Sequence, residues 1–429
     1  MLPECRTGEE NLSIPQLSID TGDINEFMEE LRGFHQEFAG CFSRQEPRDN
    51  FFSYMVGQLS QLERKSIEPI ALNLKNAKVR ALQFFVSDVV WDDNKIIAKY
   101  RSMVNEDLGD ENGVIIFDEF GYVKKGDDSA GVARQYCGSI GKVENSQVGV
   151  FSAYASKHGY CLVGNRLFVP DKWFSKDYAE RRRKCKFPKD LQFRTKPQLA
   201  ADMLRDIAQE SVLPFRFVLA DTIYGGSPEF IGVVEEFPGV HYFVTMAHDT
   251  LCWLTRPLTI SKQYRYQGEV RTRKALQHPE DKPLSFAAIA DNINDYFWYR
   301  RKVSEGAKGP IEYEFTKRRV VLSRNGVPDK EVWLVIRRTV GGKREYSFYI
   351  TNAPLSARLK TFVWLSGLRW AIEQCFEETK TELGMDHYEV RKLPGWVHHM
   401  ITCMLAHFFL WHIKIRLGNK STSYYSIAA

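Results

Sequence analysis

Apolar positions change their period along the chain, and the changes divide it. From Ile24 to about residue 105 they recur at three- and four-residue steps, with Phe27, Leu31 and Phe34 on one face, then Phe51, Phe52, Met55, Val56, Leu59 and Leu62. That spacing predicts amphipathic helices. Between Gly113 and Ala247 short apolar runs take over: VIIF, SQVGVFSAYA and YCLVGNRLFV, a helical stretch over Gln198 to Glu210, the run FRFVLA, a second helix over Pro228 to Phe237, and the run HYFVTMA. Three adjacent strands followed by β-α-β predict a mixed sheet with helices packed on it.

After Ala247 basic and aromatic segments predominate (LTRPLTISKQYRYQGEVRTRK, NDYFWYRRK, EFTKRRVVLSRNG), joined by the strands EVWLVIRRT and EYSFYITN, before a long helix beginning near Ser356. The expected organisation is an N-terminal lead-in and helical DNA-binding domain over 1–105 and a first part of an α/β core over 106–247. A β-rich insertion follows over 248–344, then the second part of the core over 345–395 and a C-terminal helix and tail over 396–429. Residues 1–22, polar and acidic with two prolines, are expected to be extended. In the insertion, Arg256 to Lys274 carries six Lys/Arg against one Glu, with Tyr264 and Tyr266 among them and Tyr296, Phe297, Trp298 and Tyr299 nearby. Such a mixture suits phosphate neutralisation with base stacking; an edge strand blunted by cations, with its aromatics turned inward, is the competing reading.

A chain of 429 residues that is 44% hydrophobic can bury more than one core, and disorder is excluded as its main character. The net charge of +5 permits a nucleic-acid partner without requiring one. Eight scattered cysteines, with no C-x-x-C pair and no histidine at zinc-ligand spacing, predict a reducing compartment and no structural zinc. No leader peptide or bilayer-length apolar segment is evident, so a cytoplasmic protein is expected.

The candidate chemistry lies in three acids. Asp118 in GVIIFDEFG and Asp221 in FRFVLADTIYG are each read as closing an apolar strand ahead of a glycine-containing turn. Downstream, GLRWAIEQCFEETKTELG reads as one helix whose apolar stripe (365, 368, 372, 376, 379, 383) fixes the packed face. Arg369, Glu373, Glu377 and Lys380 form the neighbouring stripe, and Glu378 and Glu382 are expected to turn further toward solvent. Glu373 is preferred over Glu377 as the third acid. Three such carboxylates can hold two Mg²⁺ ions, a pair suited to in-line displacement at a phosphodiester. Arg369 and Lys380 are read as phosphate-binding, with an ordinary surface ion pair worth only ~0.3 to 0.5 kcal/mol as the alternative. His398 and His399, on the apolar helix GWVHHMITCMLAHFF, are read as packing or capping groups.

The R-x3-E-x6-K segment (Arg369, Glu373, Lys380) resembles the signature of the IS-four-like insertion-sequence transposases, DDE enzymes with a ribonuclease-H-like fold and a β-rich insertion before the last acid. FDEFGYVKKG, GVARQYCGSIGKVENSQVGV, FRTKPQLAADML, VLADTIYGGSPEF, RWAIEQCFEETKTELGMDHYEVR and GWVHHM resemble its subgroup of DDE superfamily endonucleases, in order over about residues 50–412. Two positions depart from the pattern: Ser366 replaces a frequent tyrosine, and the first acid is followed by Glu119-Phe120-Gly121 where the subgroup commonly reads D-T-G.

The resemblance implies an α/β, ribonuclease-H-like mixed sheet with flanking helices. It implies a transposase that nicks transposon ends and joins the freed 3′-hydroxyl to target DNA, using Asp118, Asp221 and Glu373 with two Mg²⁺ ions, Mn²⁺ substituting. Arg134, Gln135, Lys142, Arg194 and Lys196 would contact DNA beside Arg369 and Lys380, with Trp298 from the insertion. The implied partners are double-stranded DNA, as terminal inverted repeats and target, and a second copy of the chain, at the nucleoid of a prokaryotic cell. A metal-dependent endonuclease without strand transfer, and a DNA-binding protein that keeps the fold as a scaffold, are the alternatives. A glycoside hydrolase has only the paired carboxylates in its favour.

Overall fold

The computed structural model describes residues 21–267, 269–306 and 309–417. The extended lead-in expected before Thr21 and the tail after Leu417 lie outside the described residues. In chain order the elements are α1 (Thr21–Gln36), α2 (Gln45–Gln58), α3 (Ile67–Asn73), α4 (Val79–Ser87), α5 (Asp93–Leu108), β1 (Val114–Val123), β2 (Ala133–Cys137), β3 (Lys142–Ala155), β4 (Tyr160–Phe168), α6 (Ala179–Lys184), α7 (Lys196–Glu210) and β5 (Phe217–Ala220). There follow α8 (Thr222–Gly225), α9 (Pro228–Glu235), β6 (His241–Met246), β7 (Leu251–Trp253), β8 (Thr259–Tyr266), β9 (Glu269–Leu276), β10 (Leu284–Ser285), α10 (Phe286–Asp291), β11 (Tyr299–Gly306), β12 (Gly309–Arg324), β13 (Val327–Thr339) and β14 (Tyr346–Thr351). Three helices complete the order: α11 (Leu359–Leu368), α12 (Trp370–Thr381) and α13 (Leu393–Leu417). Four strands (β1–β4), the helices α6 and α7, and the strands β5 and β6 joined through α8 and α9 make a mixed α/β architecture with flanking helices, as the apolar runs predict, with β2 added to them.

The described residues fold as two compact units, one from residues 21–215 and 370–417, the other Arg216–Arg369. In the first unit β1 pairs antiparallel with β3 along the whole length of β1, and the other edge of β3 is shared by β2 and β4. The N-terminal helices of this unit have no separate core. Their apolar faces close on α13, with the Phe34 ring 5.1 Å from Phe409, Phe27 5.4 Å from Phe409 and Tyr100 5.5 Å from Phe408. Helix α13 is apolar all round because it is wrapped all round, its side chains from Met400 to Ile413 being buried. The first and last expected domains thus share one core. No described helix is long and apolar enough to cross a membrane.

In the second unit β5 and β6 run parallel, and β14, β13 and β12 continue the sheet antiparallel from β6, with β7 and β10 beyond and β11 also on β12. The insertion expected over 248–344 therefore extends the core sheet of this unit. One part stands apart: β8 and β9 pair only with each other, as a two-stranded sheet.

Candidate active site

Asp118 lies within β1, where the apolar run Val114–Phe117 is buried and Asp118 itself is half-buried opposite Phe151 of β3. The expected strand end is corrected: β1 continues to Val123, in register with β3 throughout. Gly121 marks a close approach rather than a turn, since a Cβ there would lie 2.5 Å from Cys137 Sγ. Asp118 Oδ1 accepts the backbone N–H of Glu119 at 2.8 Å. Beside it the Glu119 carboxylate accepts from Lys196 Nζ at 2.8 Å, with the two side chains 13% and 17% exposed. Lys196 opens α7, capped by a reciprocal Thr195–Gln198 box. Lys196, expected to contact DNA, has its ammonium paired with the acid next to Asp118.

Asp221 does end its strand. Four buried residues, Phe217 to Ala220, are followed by Asp221 as N-cap of α8, its carboxylate accepting the Ile223 N–H at 2.9 Å. Behind it Gly225 packs on β6 so tightly that a Cβ would sit 2.5 Å from the Thr245 carbonyl oxygen.

The predicted R-E-K helix is two helices. Helix α11 ends at Leu368, Arg369 is its C-cap, and α12 begins at Trp370. Arg369 Nη1 donates to Thr245 Oγ1 at 3.4 Å, so the arginine is tethered to β6. On α12, Ile372, Cys375, Phe376 and Thr379 are buried and Glu373, Glu377 and Lys380 are exposed on the opposite side. Lys380 lies 3.9 Å from Asp386, an exposed pair of small energetic weight. Glu378 is corrected: it turns inward, accepting from Tyr160 Oη at 2.9 Å and Gln374 Nε2 at 3.0 Å and pairing with His407 Nε2 at 2.7 Å. Burial opposes the ionised Glu378, and the hydrogen bonds and charge of His407 more than offset it, holding the carboxyl below its ordinary range. Ser366, at the departure from the family pattern, is buried and donates to its own helix at Val363 O, 2.7 Å.

Arg134 and Lys142 stand exposed on β2 and β3, and Gln135 Nε2 donates to Ser146 O at 2.9 Å. Arg194 is exposed and 3.7 Å from Asp202. Trp298, read as a base-stacking residue, is 7% exposed, with the Arg338 guanidinium 4.1 Å above its ring. Tyr296, Phe297 and Tyr299 are the exposed rings of that segment. His398 and His399 are packing groups as expected: His398 stacks on Trp91 at 3.9 Å and bonds to Val86 O, while His399 bonds to Tyr54 Oη and Met385 O.

Among these side chains Asp118, Glu119 and Asp221 are half-buried carboxylates of the type that ligates a metal. An all-oxygen, anionic donor set fits a hard divalent cation. Glu373 differs in being exposed on its helix, and among the described residues it joins no group of three or more candidate ligands.

Residues 37–310 match the family described as DDE superfamily endonuclease. The chain is 24% identical over 347 residues to a probable transposase for insertion sequence element IS701 from Microchaete diplosiphon, covering 80% of this chain and 77% of that one. Among solved structures, the piggyBac transposase synaptic complex with hairpin DNA is 8% identical with a TM-score of 0.41, covering 94% of this chain and 77% of that one. The NurA nuclease from Sulfolobus solfataricus is 11% identical with a TM-score of 0.28, covering 69% of this chain and 86% of that one.

Proposed function

Because the chain belongs to the DDE superfamily endonucleases, enzymes that act on DNA with divalent metal, we propose that it is a DNA transposase that cuts transposon ends and joins the freed 3′-hydroxyl to target DNA. The observation that carries the reading is the alignment with an insertion-sequence transposase over 80% of the chain. The acids themselves fit the chemistry.

Asp118, Asp221 and Glu373 are the proposed ligands of two Mg²⁺ ions. When bound, such a pair stabilises the charge that builds on the attacking and leaving oxygens of a phosphodiester. Each acid has a distinct support. Asp118 sits in the middle of a long paired strand, so its position is rigid; Asp221 is oriented by the N–H it caps; Glu373 is on the solvent side of α12, where substrate can approach. Lys196 pairs with Glu119, the carboxylate that follows Asp118 in β1.

Arg369 and Lys380 are proposed to bind phosphates flanking the scissile bond, with Arg134, Lys142 and Arg194 along the DNA beyond it. In cleavage, water oxygen bonds to phosphorus and gives a proton to solvent as the P–O3′ bond breaks, and the departing O3′ takes one up to become the 3′-hydroxyl. In joining, the released 3′-hydroxyl oxygen bonds to a target phosphorus and loses its proton to solvent, and the expelled target 3′-oxygen takes one up to leave as a hydroxyl. Holding two ends at once calls for a homodimer, working at the nucleoid of a prokaryotic cell.

The test uses labelled duplexes carrying the inverted repeats that bracket the gene, with Mg²⁺ titrated. The full chain should nick the repeat end, and supplied pre-cut ends should be joined to a target plasmid. Asp118→Asn, Asp221→Asn and Glu373→Gln should each abolish both reactions while shifting duplex affinity less than about threefold. Cleavage retained in any one variant removes that residue from the set; cutting without joining reduces the function to an endonuclease.

A further inference from the structure

The β8–β9 ribbon is the one described sheet that does not join the core sheets, and all of β8 and all but the last two residues of β9 are exposed. A free two-stranded ribbon has no core to hold it, so its stability must come from its own side-chain pairs. The register sorts those side chains onto two faces.

One face carries Lys262 opposite Arg273, Tyr264 opposite Arg271 and Tyr266 opposite Glu269. Here the cations fold back diagonally onto the rings: the Arg271 guanidinium lies 5.0 Å from the Tyr266 centroid and that of Arg273 5.4 Å from Tyr264, while Arg271 also pairs with Glu269 at 3.1 Å. These contacts stiffen the ribbon along its length. The opposite face carries Ser261, Gln263 and Arg265 at successive alternate positions on β8, facing Lys274, Thr272 and Val270. No ring on that face folds over its donors and acceptors.

We propose that the β8–β9 ribbon lies in the major groove of duplex DNA, with Gln263 and Arg265 reading base edges and the tyrosine–arginine face serving as its brace. The inference rests on the DNA reading above and deepens it by assigning sequence recognition to the insertion. Size and charge both agree. Eight residues per strand at ~3.4 Å each span about 27 Å, roughly eight base pairs, and a two-stranded ribbon is what a groove about 12 Å wide admits. Lys262, Arg265, Arg271, Arg273 and Lys274 against Glu269 give a strongly positive arm for the phosphates on either side. Gln pairs bidentately with adenine and Arg with guanine, so the two residues carry base information that the phosphate contacts cannot.

The experiment is selection of the full chain against a 40-base-pair duplex library with a randomised centre, repeated with Gln263→Ala/Arg265→Ala and with Arg265→Lys. The unmodified chain should enrich a motif. The double variant should enrich the same motif with two to four adjacent base pairs no longer specified, and its discrimination at those pairs should fall about tenfold or more. Arg265→Lys, which keeps the charge and loses the fork, should relax one position with an unchanged salt slope. An unaltered motif in the double variant, or uniform weakening on every duplex with the motif intact, overturns base reading by the ribbon. If the unmodified chain binds no duplex at all, the DNA reading itself fails first. An unchanged limited-proteolysis pattern within β8 and β9 in variants and parent will exclude a misfolded ribbon as the cause.

Discussion

Acidification should loosen the protein through His399, a residue outside the proposed chemistry. Its ring is fully buried between α2 and the turn after α12, with Nδ1 2.8 Å from Tyr54 Oη and Nε2 3.2 Å from Met385 O. Nε2 must therefore carry the proton, and Nδ1 accepts from the tyrosine. Burial is the main cause of a pKa lowered from 6.5 to about 4; the nearby Lys124 and His387 act in the same direction, and the bond to Met385 O opposes it. Well above pH 7 the ring is neutral folded or unfolded and adds nothing to the pH dependence. As pH falls below 6.5 the unfolded chain takes up a proton that the folded chain refuses, so stability drops at up to about 1.4 kcal/mol per pH unit until the folded value is reached. Across that window the loss is about 3 kcal/mol, a large share of a typical 5–15 kcal/mol. His399→Gln keeps an acceptor for Tyr54 and a donor for Met385 but cannot titrate. Urea unfolding of both proteins at pH 7.5, 6 and 5 should show the parent losing about 2 kcal/mol more than the variant by pH 5. Parallel pH profiles would refute the reasoning, because every other titrating group is common to both chains.

Arg369→Ala and Lys380→Ala should each lower the slope of log affinity against log salt by about 0.9 on duplex DNA, checked by fluorescence anisotropy at four salt concentrations; an unchanged slope leaves only their protein contacts. Gly225→Ala should destabilise the fold by ~1–3 kcal/mol in chemical denaturation, because the new methyl meets backbone at Thr245, which cannot swing away. Arg338→Met should cost ~1–3 kcal/mol and red-shift tryptophan emission, since it strands Glu314, 2.7 Å from the guanidinium, and uncovers Trp298.

Local pattern carried the strands and helices well. The runs VIIF, FRFVLA and HYFVTMA are strands because nothing else buries that many consecutive apolar residues over so short a length, and the stripe Ile372, Phe376, Thr379 is the packed face of α12. Errors arose where a distant partner decides. Gly121 looked like a turn because its reason, the Cys137 sulfur, sits on another strand. Glu378 looked solvent-facing because Tyr160 and His407, which draw it inward, are far away in sequence. The cover of Trp298 by Arg338 was likewise not legible, since nothing local reveals it. The break at Arg369 had only Gly367 to announce it, and the hydrogen bond to Thr245 on β6 is again a long-range contact. The Lys196–Glu119 pair was missed for the same reason, although a lysine opening a helix next to a Thr-x-x-Gln cap was visible.

The sharing of one core by α13 and the N-terminal helices has a consequence for biosynthesis. Those helices leave the ribosome on the order of 300 residues before the segment that covers them, a wait of about 15–60 s at 5–20 residues per second. Throughout that interval Phe27, Phe34 and Tyr54 have no α13 to pack on, and the nascent polypeptide presents an oily surface that chaperones must shield. A message truncated before codon 393 should therefore yield aggregates rather than a shorter working protein.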